Sequence, residues 1–244
     1  MKLNLKIFQT FLLISNAWIL LSCSKANSSM QSQPSDTSHM DTTKRTYLAL
    51  GDSYTIGQSV PASDRYPVQA VAILNSDKYN FSDPDIIATT GWTTADLQNA
   101  INNYSFTVPK YDIVTLLIGV NNQYQGRTQA EYKQQFTALL QRSIELAGNS
   151  ANHVIVLSIP DYSVTPFANY RSDKDIIASQ IDSFNTINKQ VSDSYHVNYI
   201  YITDLTRQAA TDQTLLASDG LHYSGKEMAL WANMLAAEIE KILQ

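Results

Sequence analysis

The sequence predicts a three-layer α/β/α domain built on a five-stranded, mainly parallel sheet, and three observations predict it. From Thr46 onward, short apolar runs alternate with stretches of helical periodicity, the signature of βα units closing a parallel sheet. Two of the runs, at 113–118 and 153–159, are nearly continuously apolar, as central strands covered on both faces require. No repeat and no break in composition interrupts the chain from Thr46 to Gln244, so one domain accounts for it.

The chain has 244 residues, 44% of them hydrophobic, enough for one sizeable core. Before the domain, Lys2 and Lys6 precede an apolar stretch at 7–21 that Gln9 and Asn16 interrupt. It is short against the ~20 residues of a membrane span and reads as a secretory signal, residues 1–22. Its end, Leu20-Leu21-Ser22-Cys23, resembles a bacterial lipobox, in which the cysteine is lipidated and becomes the mature N-terminus. The resemblance implies an exported, membrane-anchored lipoprotein of the cell envelope. Cys23 is the one cysteine in the sequence, so no internal disulfide can form. Residues 23–45 are rich in Ser and Thr, nearly free of aliphatic side chains, and read as a flexible linker that includes His39.

Within the domain, residues 46–244, the strands are expected at 46–50, 85–89, 113–118, 153–159 and 198–202. Thr128 with Glu131 makes a capping-box pattern, after which Tyr132, Phe136, Leu139, Leu140, Ile144 and Ala147 recur at helical spacing until Gly148. Ile177, Ile181, Phe184, Ile187 and Val191 form a second stripe. Ser224 with Glu227 opens the last helix, whose buried face is Met228, Trp231, Leu235, Ile239 and Ile242.

In an open parallel sheet, ligands bind beyond the carboxyl ends of the strands. The segments at that edge are Gly51-Asp52-Ser53-Tyr54, Thr90-Gly91-Trp92-Thr93, Gly119-Val120-Asn121-Asn122, the loop starting at Pro160, and the stretch around Asp219 and His222. On its own, a strand ending in Gly-Asp-Ser is ordinary turn chemistry. The histidines narrow the choice: His39 is in the linker, His153 and His196 sit at the opposite edge, and only His222 reaches the carboxyl edge. It follows Asp219 by three residues and precedes a helix N-cap by two. The positive helix end favours a neutral imidazole there, and the Asp219 carboxylate can orient it, as a general base for a serine hydroxyl requires.

The ordered set of Gly-Asp-Ser at Ser53, Gly91 after the second strand, Gly-Val-Asn-Asn at Asn121 and Asp-Gly-Leu-His at Asp219 and His222 resembles the GDSL, or SGNH, hydrolase family. The resemblance covers essentially the whole domain and implies a flavodoxin-like SGNH hydrolase fold. It also implies a Ser53–His222–Asp219 triad and an oxyanion hole made by the N–H groups of Ser53 and Gly91 and the Asn121 side-chain amide. Departures are Tyr54 where the family name has Leu, Asn122 where many members have Asp, and Tyr223 where Pro often follows the His. They bear on substrate pocket and loop rigidity rather than on the reaction.

The activity expected is hydrolysis of carboxylic esters, of esterase or lysophospholipase type. O-acetylated carbohydrate is an alternative substrate class, and a non-catalytic surface binding lipoprotein is an alternative of another kind. Tyr54, Trp92, Tyr124, Tyr162, Phe167 and Tyr223 are the candidate substrate-pocket residues. The sequence has no G-x-S-x-G elbow, no phosphate loop with Lys and no H-E-x-x-H site, so neither metal nor organic cofactor is expected. A net charge of −5 with 17 Lys and Arg, none clustered, gives no footprint for nucleic acid.

Overall fold

The computed structural model describes residues 42–244. The signal segment, Cys23 and His39 lie outside the described residues. The main sheet comprises β1 (Tyr47–Gly51), β2 (Asp85–Ala88), β3 (Ile113–Leu117), β4 (Val154–Leu157) and β5 (Asn198–Ile200). They are ordered β2-β1-β3-β4-β5, and every pairing is parallel. The eight α-helices among the described residues are α1 (Ser53–Ile56), α2 (Tyr66–Asp77), α3 (Thr94–Asn102), α4 (Val120–Tyr124), α5 (Gln129–Leu146), α6 (Lys174–Ser194), α7 (Thr203–Arg207) and α8 (Gly225–Leu243).

Helix α2 packs on α8, while α5 packs on α3 and α6. Every residue of β1, β3 and β4 is buried, as strands with helices on both faces must be. The expected α/β/α architecture is therefore present. Lys44–Arg45, at the end of the segment read as linker, pairs in parallel with Asn80–Phe81 as a separate two-stranded sheet.

β4 and β5 are shorter than the apolar runs that announce them, because side chains replace the ladder at their carboxyl ends. The Ile159 N–H donates to Asn185 Oδ1 at 2.7 Å, and the Ile159 carbonyl accepts from Asn185 Nδ2 at 3.0 Å. Ser158 Oγ likewise accepts the N–H groups of Ile202 and Thr203. The backbone is satisfied without continuing as strand, which frees both segments to turn into loops.

The helices start and stop as their residues dictate. Thr128 accepts the Glu131 N–H at 3.1 Å, and beyond Gly148, at φ +71°, the Asn149 N–H returns to the Ile144 carbonyl at 2.9 Å. Ser224 caps α8 through the Glu227 N–H, but the reciprocal half of the box is absent. The Ser224 N–H already donates to the Leu215 carbonyl at 2.8 Å, so Glu227 turns inward to accept from Trp231 Nε1, also at 2.8 Å. Thr93 and Asp96 form a complete capping box on α3, a helix that hydrophobic spacing did not single out.

The crossing from β1 into α1 carries an uncompensated cost. Asp52 caps α1 by accepting the Tyr54 N–H at 3.1 Å, yet it is wholly buried and its Oδ2 has no partner. Burial pushes its carboxyl up from 3.8 to about 7, with the N–H bonds of Tyr54 and Asp52 itself opposing the shift. A carboxyl whose folded pKa is raised contributes stability below its unfolded pKa and loses it as pH rises through the folded one. Replacing Asp52 by Asn removes that loss. Urea denaturation at pH 4 and pH 7 should show Asp52→Asn gaining on wild type by on the order of 3 kcal/mol between the two; a constant difference would show that the folded carboxyl titrates as the unfolded one does.

Candidate active site

A cavity of about 270 Å³ lies at the carboxyl edge of the sheet. Ser53, Gly91, Asn121 and His222 all line it, together with Tyr54, Thr90, Val120, Tyr124, Tyr162, Phe167 and Leu221. The register brings them there. Gly51, Ala88 and Leu117 pair in one row across β2, β1 and β3, and the chain reaches Ser53, Gly91 and Asn121 within four residues of that row.

Ser53 is the first residue of α1, a position whose N–H has no partner within the helix. Gly91 adopts φ +87°, a backbone state L side chains rarely take, and an added Cβ would meet no atom within 4 Å. Glycine is needed there for the turn, whose own bond runs from the Trp92 N–H to the Thr89 carbonyl. Gly119, at φ +132°, lets β3 turn directly into α4. A Cβ on it would come within 2.7 Å of the Tyr132 ring and 2.8 Å of Ile159. Two residues on, Asn121 donates one amide hydrogen to the Trp92 carbonyl at 2.9 Å, and the amide has a second hydrogen to donate.

Asp219 is saturated with donors. Oδ1 accepts the N–H groups of Leu221 and His222, both at 2.9 Å, and Oδ2 accepts His222 Nδ1 at 2.7 Å and Ser59 Oγ at 2.6 Å. Partial burial opposes its charge, but the bonds from Ser59, from the His222 side chain and from the two backbone N–H groups outweigh it. They hold the carboxyl well below the usual range. An ionised Asp219 only accepts, so Nδ1 carries the imidazole proton and Nε2 is the bare nitrogen of the neutral ring. His222 and Ser53 share the cavity without a direct hydrogen bond between them among the described residues.

The departures from the family pattern are structural in their contacts. Asn122 is buried, accepting the Thr94 N–H at 3.0 Å and donating to Thr94 Oγ1 at 2.7 Å, so a neutral amide ties α4 to the start of α3. Tyr54 reaches the cavity but is only 2% exposed; its ring stands edge-on to His222 at 5.7 Å and packs against Tyr223 and Trp231. Tyr223 does not line the cavity: it is wholly buried, and its hydroxyl donates to the Asp161 carbonyl at 2.7 Å. Trp92 is also absent from the lining and offers Asn121 its carbonyl instead.

Besides the mostly buried Tyr54, the aromatic lining of the cavity is Tyr124, Tyr162 and Phe167, with ring centroids 6.2–6.4 Å apart. Tyr124 is 44% exposed, and the Arg171 guanidinium, held by both oxygens of Asp173, lies 4.5 Å from its centroid. Thr90, Val120 and Leu221, which belong to the segments expected at this edge, line the cavity in addition to the candidate pocket residues. No local signal in the sequence marks Ser59, which bonds to Asp219. Among the described residues, no group of three or more His, Cys, Asp or Glu side chains could hold a metal ion.

The family model for GDSL-like lipase/acylhydrolases matches residues 49–229. Among solved structures, the chain resembles a lipase/acylhydrolase from Enterococcus faecalis at 19% identity, with a TM-score of 0.62, covering 81% of this chain and 96% of that one. It resembles an acetyl xylan esterase variant from Geobacillus stearothermophilus at 18% identity and TM-score 0.59, covering 80% and 94%. A psychrotrophic esterase from Pseudoalteromonas sp. aligns at 16% identity and TM-score 0.59, covering 82% and 98%. At such identities the likeness concerns the fold. No curated protein matches the sequence. Because the family match spans most of the chain and includes every strand of the main sheet except part of β1, the chain belongs to the GDSL-like lipase/acylhydrolase family.

Proposed function

We propose that the protein is a carboxylic ester hydrolase in which Ser53 attacks, His222 moves the proton and Asp219 orients His222. The observation that carries this reading is the Asp219–His222 pair at 2.7 Å, with a fully bonded carboxylate, beside a cavity that also contains Ser53, Gly91 and Asn121. Ser53 Oγ adds to the ester carbonyl carbon as His222 Nε2 takes its proton. The carbonyl oxygen becomes an oxyanion that accepts from the N–H groups of Ser53 and Gly91 and from Asn121 Nδ2. As the C–O bond breaks, His222 returns the proton to the leaving alcohol. Water then cleaves the acyl-enzyme by the same steps in reverse order.

The cavity, about 270 Å³, is small for a ligand pocket and favours a short acyl group. Its exposed aromatic side, at Tyr124, favours a ring-bearing alcohol portion, so esters of acetylated carbohydrate are a second reading within the same chemistry. The Leu20-Leu21-Ser22-Cys23 stretch supports export and a lipid tether, which would place this activity at the cell envelope.

An ester panel on wild type and Ser53→Ala tests nucleophile and acyl group together. Acetyl and butyryl esters should turn over faster than long-chain ones, and Ser53→Ala should lose about 10³-fold or more; turnover retained in Ser53→Ala would remove Ser53 as nucleophile. Asn121→Ala should lower kcat by about 10²–10³-fold with little change in KM, and a change confined to KM would place Asn121 in substrate binding alone. Labelling of cells with palmitate should mark the wild-type chain and not Cys23→Ser; equal labelling would refute the anchor.

A further inference from the structure

The turn that follows α1 joins parts of the site that the sequence keeps far apart. Ser59 Oγ donates to Asp219 Oδ2 at 2.6 Å across 160 residues, on the same oxygen that accepts from His222 Nδ1. Ser59 has φ +65°, a left-handed state that serine adopts uncommonly. Such a state persists only where neighbours over-determine it.

The neighbours here are parts of the site. The N–H groups of Gly57 and Gln58 both donate to the Ser53 carbonyl, fixing the turn to the residue proposed as nucleophile. Gln58 Oε1 accepts from Thr90 Oγ1 at 2.6 Å, fixing it to the loop that carries Gly91. One short turn thus contacts the Ser53, Gly91 and Asp219 segments at once.

We propose that Ser59 is a positioning residue, which acts through Asp219 to set the orientation of His222. The proposal rests on the reading of Ser53, His222 and Asp219 given above. The Ser59 hydroxyl occupies one of the two acceptor directions of Oδ2 and leaves the other for Nδ1. Without it, the backbone N–H groups on Oδ1 still hold the carboxylate, but Oδ2 loses the donor that fixes its second acceptor direction and water takes that place, so the imidazole is held less tightly. Removing a hydrogen bond to a charged group at such a position corresponds to about a tenfold loss in rate.

Ser59→Ala and Ser59→Gly separate the hydroxyl from the backbone, since glycine relieves the positive φ while both remove Oγ. Both variants should lose about tenfold in kcat with KM unchanged, and the loss should vanish in an Asp219→Asn background. The downfield proton resonance of His222 Nδ1 should shift in both variants without any need for turnover. Wild-type kcat in both, a loss in Ser59→Ala that glycine restores, a loss that persists with Asp219→Asn, or an unmoved resonance would each overturn the proposal. Failure of the underlying hydrolase reading is recognised separately, by full turnover in Ser53→Ala.

Discussion

The row of residues Gly51, Ala88 and Leu117, held side by side by parallel ladders on both flanks of β1, is the constraint on which the site depends. A parallel sheet leaves every strand at the same edge, so these three ends start three loops from one line. Short extensions then carry Ser53, Gly91 and Asn121 to one cavity without a long loop having to be ordered. A register slip in either ladder would reverse the facing of a strand and separate these residues. The full burial of β1, β3 and β4 under two groups of helices is what makes such slips costly.

The remaining pair, Asp219 and His222, comes from the opposite end of the chain and is fixed by different means. Its geometry is largely local: the backbone N–H groups of Leu221 and His222 fold onto Asp219 Oδ1, leaving Oδ2 for the imidazole. Immediately afterwards the capped start of α8 begins, and the buried Met228, Trp231, Leu235 and Ile239 anchor that helix on the core. Tyr54 and Trp231 link the two halves, since both belong to the aromatic cluster that backs His222.

What could be read from the sequence was whatever depends on local pattern. Strand positions were legible because continuous apolar runs have few uses, and the edge to which the polar motifs belong followed from parallel connectivity. Strand ends were not, because Asn185 and Ser158 replace the ladder with side-chain bonds that no periodicity records. The choice of aromatic residues around the cavity was legible only in part. Tyr124, Tyr162 and Phe167 line it, but the Tyr223 hydroxyl finds the Asp161 carbonyl inside the core, and an inventory by loop position cannot distinguish the two fates. Ser59 was invisible because its partner is 160 residues away.

The central proposal is that Ser53 is an activated nucleophile because His222 takes its proton and Asp219 orients His222. A fluorophosphonate reacts with a serine only when it is so activated, and peptide mass spectrometry locates the adduct. The account predicts a single adduct on Ser53 in wild type, and a large fall in its rate of formation in His222→Ala. An unmodified Ser53, or one that reacts equally fast without His222, would contradict it.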